Sequence, residues 1–286
     1  YYGDFDGVRD AFKSFIENIP FYGAAILCLD HPEVQALINR ITDCRIITYG
    51  IDENADLRAL NIKSTISGSQ FDICVRDRIN GNQFMINDLF IPMLGRHNVL
   101  NALAAISVTL EMGIEKELIK KGLSEFKGVY RRFTKVGEVN GISIIDDYAH
   151  HPIEIISALR AAREVCKGNI IAVVQPHRFS RVKSLFVEFC SCFDDADIVV
   201  VSDIFPAGEV PIKDINKESL ISGLHDHGHK SVHSLSDPDD LPSMIDSFAQ
   251  SGDFIVLLGA GTITNWAQSL PSKLQKISLE ASVLGK

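Results

Sequence analysis

The sequence contains no G-x-x-x-x-G-K-[ST], no G-x-S-x-G and no H-E-x-x-H. These absences remove the phosphate-cradling loop, the nucleophile elbow and the helical zinc site from the chemistry these residues can run. None of the six cysteines (Cys28, Cys44, Cys74, Cys166, Cys190, Cys192) forms a C-x-x-C pair. Neither a zinc site nor a disulfide framework is indicated, and reduced thiols in a cytoplasmic protein are the expectation. No apolar run approaches the ~18 residues of a membrane span, and the opening residues do not form a signal peptide. Positive charge is also short: 28 Lys and Arg against 37 Asp and Glu leave a formal net charge of -9. Non-specific binding to nucleic acid rests on a basic excess, so a small-molecule partner is expected, with neither nucleic acid nor membrane. The chain opens on Tyr1-Tyr2 rather than methionine, which reads as an incomplete chain.

What is present is enough for a sizeable core. With 286 residues, 46% hydrophobic and 23% charged, the chain suits one large domain or two ordinary ones. In the first part, "FYGAAILCLD" (21–30) and "RIITYG" (45–50) read as strands, followed by alternating stretches at 71–77 and 83–93. "GRHNVLNALAAISVTLEMGI" (95–114) has helical spacing from Val99 and a stop at Gly113. A second helix, "EKELIKKGLSEF" (115–126), leads to a boundary that divides the chain into 1–127 and 128–286.

Beyond it the rhythm changes to strict alternation. "VNGIS" is an Asn-Gly hairpin signal pairing 132–139 with 142–146. Pro152 opens a helix with Ile155, Leu159 and Ala162 on one face. Apolar strands at 169–177, 197–205, 231–235 and 253–261 alternate with helices at 180–194, 216–224, 239–250 and the C-terminus. Continuous apolar strands separated by amphipathic helices predict an α/β domain with a mostly parallel sheet covered on both faces.

Such sheets bind ligands beyond the carboxyl ends of their strands, and these ends are rich in chemistry. After 142–146 come Asp146, Asp147, Tyr148, His150 and His151; after 170–174 come Gln175, Pro176, His177, Arg178 and Arg181; after 253–258 comes "GAG". Each has an ordinary structural role available. Asp147 could cap the helix at 152 or its preceding turn, one of the adjacent histidines must face away, and Arg178 and Arg181 could be surface charges. Their convergence favours a site for an anionic substrate, with arginine forks on carboxylate or phosphate and a histidine moving a proton. Asn98 and Asn101 lie three apart on one helix face. They could meet an adenine edge, although spacing alone favours Asn98 as an N-cap. "GAGTIT" (259–264) lacks the third glycine of a dinucleotide fingerprint and reads as a tight turn with close backbone approach. "HDHGH" (225–229) reads as a solvated loop rather than a metal site.

The pieces "GRHNVLNALAA", "YRRF", "DDYAHHP", "QPHRFSR", "DIFPAGEVPI" and "GAGTI" occur in the order seen in the Mur ligases of peptidoglycan synthesis. The chain resembles that family from residue 5 to residue 270. "QPHRFSR" is similar to the branch that adds L-alanine; the branch that reattaches a ready-made tripeptide to the same sugar nucleotide carries a Pro-Arg-Ser motif there. The resemblance implies a partial central ATPase domain followed by a Rossmann-like C-terminal domain that brings the amino acid. It also implies use of ATP and Mg2+, with the phosphate loop and the magnesium ligands expected in a part preceding Tyr1, and no metal ligand among these residues. The implied reaction phosphorylates the lactyl carboxylate of UDP-N-acetylmuramate, and the amine of L-alanine attacks the acyl phosphate.

By the same resemblance Asn98 and Asn101 would flank adenine, Asp147 would hold the ribose hydroxyls, and Arg132 would reach the transferred phosphate. Tyr148, His150, His177, Arg178 and Arg181 would line the site for alanine and the muramyl carboxylate. The arginines would hold the alanine carboxylate, and His150 or His177 would orient or deprotonate its ammonium. Without a phosphate loop the chain by itself is expected to be an inactive binding fragment. The sequence gives no reading of oligomeric state.

Overall fold

The computed structural model describes residues 3–76 and 81–284. The chain folds as two compact units, the division falling between Lys127 and Gly128. No helix among the described residues is long and apolar enough to cross a membrane, and the six cysteines are unpaired as disulfides.

The first unit begins with α1 (Phe5–Glu17), whose N-cap Asp4 accepts the Gly7 N–H at 2.8 Å. Then come β1 (Ala25–Cys28), α2 (Pro32–Ile38), β2 (Ile46–Gly50), β3 (Leu57–Thr65), β4 (Gly68–Arg76) and β5 (Gln83–Ile91). The five strands form one sheet in chain order; β1, β2 and β3 run parallel, and β3, β4 and β5 form an antiparallel meander. The sequence pattern does not announce β3. Its alternation is interrupted by a register shift between Leu60 and Lys63, where Asn61 takes φ +53. Asp77, the last residue of the stretch expected to alternate from 71, lies outside the described residues.

Helix α3 (Arg96–Glu111) buries Val99, Leu103 and Ile106 against this sheet, where Phe71, Ile73 and Leu89 complete the core. Gly113 (φ +74) follows its end, in the left-handed region glycine adopts without strain. Helix α4 (Lys116–Glu125) closes the unit.

The second unit opens with β6 (Thr134–Val139) and β7 (Ile142–Asp147), an antiparallel hairpin. Its turn holds Asn140 at φ +52 and Gly141 at φ +78, both central residues left-handed as an Asn-Gly turn requires. There follow α5 (Pro152–Val165), β8 (Ile170–Val174), α6 (Phe179–Ser184), α7 (Phe186–Ser191), β9 (Ile198–Ser202), α8 (Lys217–Asp226), β10 (Val232–Leu235), α9 (Leu241–Phe248), β11 (Phe254–Leu258) and α10 (Ile263–Leu284). The single helix expected at 180–194 is two, because Leu185 leaves helical geometry at φ -123, ψ 30.

The strand order is β10-β9-β8-β11-β7-β6. All neighbours are parallel except β6, which runs antiparallel at the edge. Every residue of β7, β8 and β11 is buried, as expected for strands covered on both faces. Helix α5 starts with Pro152 and buries Ile155, Leu159 and Ala162; each large side chain so buried contributes roughly 1.5–3 kcal/mol. Strand β11 is inserted between β7 and β8, although it follows both in the chain. The connection from β7 to β8 therefore skips a position, which makes the carboxyl ends of these three strands the switch point of the sheet.

Candidate active site

The register aligns Asp147, Leu258 and Val174 across β7, β11 and β8. The segments that follow them therefore leave the sheet side by side. Two of these carry the groups singled out by sequence, and they converge: the His150 and His177 rings lie 5.8 Å apart, with Tyr148 edge-on to His150 at 5.2 Å.

The histidines are held in different protonation patterns. His150 Nδ1 is 2.9 Å from the Tyr148 carbonyl oxygen and 3.4 Å from Glu154 Oε2. Both oxygens can only accept, so Nδ1 carries the hydrogen and, in the neutral ring, Nε2 bears the lone pair. His177 is the reverse, because Arg181 Nη1 lies 3.3 Å from its Nδ1 and donates to its carbonyl oxygen at 3.1 Å. A guanidinium can only donate, so Nδ1 accepts and Nε2 holds the hydrogen. Burial holds the His177 pKa below the ordinary range, helped by the positive charges of Arg181, His150 and Arg178 and opposed by Glu209. His151 sits apart from this pair, at the N-cap of α5. Its N–H donates to Glu154 Oε2 at 3.3 Å, and the His150 N–H donates to the same oxygen at 3.1 Å.

Asp147 is 4% exposed. Its Oδ2 accepts the Phe133 N–H at 2.8 Å and its Oδ1 the Ala149 N–H at 2.7 Å. Burial nevertheless pushes its pKa up to about 6, against the pull of those two amides. The turn-capping role is thus filled, and a ribose hydroxyl would have to use the remaining lone pairs. Asp146 is fully buried. Thr264 Oγ1 donates to its Oδ2 at 2.5 Å, and burial raises its pKa as well.

Arg132, expected at the transferred phosphate, is exposed, with Nη1 4.0 Å from Glu154 Oε1. Its neighbour Arg131 turns inward instead. The Arg131 guanidinium donates to the Gly259 carbonyl oxygen, stands 4.7 Å over the Tyr148 ring and brings Nε to 3.9 Å from Asp146 Oδ2. Arg178 is an exposed N-cap for α6 with φ +71. Gly259 lies in the expected tight turn: with φ +154, a Cβ there would stand 2.8 Å from the Gln175 carbonyl oxygen.

Arg131, Glu154, Glu209 and Phe205 belong to this constellation without having been assigned roles from the sequence. The only signal available for Arg131 was its place in "YRRF".

In the first unit, Asn98 is buried but does not cap its helix; the N-cap of α3 is Gly95. Asn98 Nδ2 donates to the Leu94 carbonyl oxygen at 2.7 Å, and Asn101 Nδ2 donates to Asn98 Oδ1 at 3.4 Å. Asn98 thus steadies the exposed Asn101 amide, whose oxygen suits a ring amine. Among the described residues no group of three or more His, Cys, Asp or Glu could hold a metal ion. In "HDHGH", α8 runs to Asp226 rather than leaving a free loop, and His229 Nε2 lies 2.8 Å from the Phe193 carbonyl oxygen.

Comparison with known proteins adds an independent line. The model of the Mur ligase middle domain matches residues 1–109, and that of the "Mur ligase, glutamate ligase domain" matches residues 131–261. The chain is 53% identical over 278 residues to the UDP-N-acetylmuramate–L-alanine ligase of Allorhizobium ampelinum, covering 97% of this chain and 59% of that one. It is 52% identical over 277 residues to the enzyme of the same name from Rhodopseudomonas palustris, with 97% and 59% covered. The chain thus spans about three fifths of the curated relatives it matches. Among solved structures it is similar to UDP-N-acetylmuramate–alanine ligase from Thermotoga maritima, with a TM-score of 0.73, 23% identity and coverage of 96% and 56%. A murein peptide ligase from Psychrobacter arcticus gives 0.61, 24%, 94% and 55%. At these identities the two structures speak to the fold.

Proposed function

The chain belongs to the Mur ligase family, and we propose that it forms the amino-acid-adding portion of an ATP-dependent ligase. That ligase would join L-alanine to the lactyl carboxylate of UDP-N-acetylmuramate in peptidoglycan precursor synthesis. The observation that carries this reading is the convergence of His150, His177 and Arg181 at the carboxyl ends of β7 and β8, within relatives of that name at about half identity.

Joining an amine to a carboxylate needs the carboxylate activated, which ATP supplies, and the amine delivered uncharged at the right angle. The residues of this chain account for the second requirement. Arg181, fixed on His177 with further N–H donors to spare, and the exposed Arg178 offer fork geometry for the alanine carboxylate. His150, whose Nε2 bears a lone pair when neutral, takes the ammonium proton. His177, kept neutral with hydrogen on Nε2, donates to an oxygen gaining negative charge. Tyr148 closes the side of His150. Asn98 and Asn101 would meet the adenine, Asp147 the ribose and Arg132 the transferred phosphate. Magnesium ligands would come from outside these residues. We place the activity in the cytoplasm, where the activated sugar nucleotide and ATP would be available.

The test is phosphate release by this chain fused to the N-terminal region of its Rhodopseudomonas palustris relative, given ATP, magnesium and UDP-N-acetylmuramate. Release that depends on L-alanine supports the proposal. Release that depends on a preformed tripeptide instead moves the chain to the recycling activity of murein peptide ligases, and release with neither removes the function while leaving the fold.

A further inference from the structure

The segment between β9 and α8, residues 203–216, comes back to the candidate site at one side chain. The Phe205 ring stacks on His177 with centroids 5.4 Å apart and planes at 22°. The ring also lies against the β11–α10 turn, since a Cβ on Gly261 would stand 2.8 Å from Phe205 Cγ. The backbone repeats the attachment. The Phe205 N–H donates to the Pro176 carbonyl oxygen at 2.8 Å, and the Arg178 N–H donates to the Phe205 carbonyl oxygen at 2.9 Å. His177 and Phe205 thereby form an isolated parallel bridge beyond the ends of β8 and β9. Arg178 enters α6 at φ +71, a left-handed value that a non-glycine residue keeps only where its surroundings impose it. The same segment is anchored by Glu209, which accepts the Ser180 N–H at 2.9 Å and its hydroxyl at 2.5 Å.

Phe205 is only half-buried, its ring stacked on His177 and set against the Gly261 turn. A partly exposed aromatic ring stacked on an imidazole of the candidate site calls for a reason. We infer that Phe205 is a positioning residue, fixing the His177 ring and the Arg178 backbone in the orientation from which they receive an amino acid. The inference rests on the proposed function for the identity of that ligand.

The charged groups facing His177 are Arg178 and Arg181 from α6, His150 from the segment before α5, and Glu209 from the 203–216 segment. A Phe205→Leu change leaves all four in place and removes the flat cover from the ring. Water then reaches the imidazole, and its titration midpoint rises toward the ordinary histidine value, because burial is the main cause of its depression.

The experiment follows the His177 ring by NMR across pH in the whole chain, with His177→Gln to assign the resonance. Phe205→Leu should raise the midpoint, and Phe205→Tyr, which keeps the ring, should not. In the fused protein described above, Phe205→Leu should raise the alanine KM about tenfold, as expected when reacting groups lose alignment. The ATP KM should stay unchanged, and Phe205→Tyr should restore the alanine value. An unchanged midpoint, or a shifted midpoint with an unchanged alanine KM, overturns the inference. If Phe205→Leu does not fold, Gly261→Ala drives a methyl into the Phe205 ring and must move the same midpoint; failure to do so is equally fatal. Should the unsubstituted fused protein show no alanine-dependent release, the proposed function fails by itself, and the midpoint alone decides the place of Phe205.

Discussion

Replacing Asp147 with asparagine separates the electrostatics of the site from its shape. The carboxylate is buried, and its pKa rises from an ordinary 3.8 to about 6. At 1.36 kcal/mol per unit, folding disfavours the ionised form by ~3 kcal/mol. The sign follows from linkage. Below pH 3.8 both folded and unfolded states hold the proton, and nothing is lost. As pH rises the unfolded state releases it first, so the chain loses stability until the folded state also ionises near pH 6, and the full cost persists above. Between pH 4.5 and 7.5, about 2 of those ~3 kcal/mol should be lost by the unsubstituted chain and none by Asp147→Asn. Asparagine can accept from one of the two amides, Phe133 or Ala149, but sets its own N–H2 against the other. That fault costs about 1–3 kcal/mol at either pH and cancels from the pH-dependent difference.

The assay is urea unfolding followed by the fluorescence of Trp266. This is the chain's single tryptophan and packs on the core of the second unit, so it reports that unit. The gap between the two proteins should move by ~2 kcal/mol toward the variant on going from pH 4.5 to 7.5. Parallel curves would refute the claim that burial outweighs the two amide hydrogen bonds. The same variant tests the ribose assignment, since weaker ATP binding with intact folding would keep Asp147 in contact with nucleotide, and unchanged binding would leave it as the clamp of its turn.

Arg181→Lys should raise the alanine KM of the fused protein by about tenfold with little change in kcat, because lysine cannot reproduce the fork; an unchanged KM removes Arg181 from the carboxylate. Asn98→Ala should destabilise the first unit by about 1–3 kcal/mol by stranding the Leu94 carbonyl, read by thermal unfolding. Asn101→Ala, at an exposed position, should leave stability within ~0.5 kcal/mol and raise the KM for ATP. Gly259→Ala should lower the melting temperature through a strain of at least ~1–3 kcal/mol, since its φ of +154 and the Gln175 carbonyl 2.8 Å away leave a Cβ no room. Unchanged melting would mean that the turn can relax.

The second unit was readable because its strands are buried on both faces. Burial turns "IIAVV" and "FIVLL" into unbroken apolar runs with turn residues at either end, and leaves "ISIIDD" apolar except for Ser143 and the two aspartates at its carboxyl end. The same property pointed to the candidate site, since in a parallel sheet whatever follows such a run emerges at the edge where ligands bind. The first unit was less readable where its sheet turns antiparallel: the bulge at Asn61 breaks the two-residue period of β3, and no local signal replaces it.

Within the site, what the sequence left unread has one cause. Sequence names a residue's position along the chain, whereas the direction of its side chain is set by backbone angles between regular elements. Arg131 and Arg132 are adjacent, and nothing in "YRRF" tells which turns inward. The choice is made by Arg131 at φ +59 and Phe133 at φ +51, two left-handed residues that flank Arg132. Together with the Arg131 carbonyl accepting the Tyr148 N–H at 2.8 Å, they set the segment on the end of β7. The outcome places a guanidinium beside a carboxyl where neither is fully satisfied: Arg131 Nε and Asp146 Oδ1 are buried without a hydrogen-bond partner. Such a pair adds little stability, because its desolvation cost offsets most of the attraction. What it does fix is geometry, tying "YRRF" to the Gly259 carbonyl and the Tyr148 ring. The arginine to which the sequence gave no role is thus the one that braces the loop carrying His150, while Arg132 stays exposed.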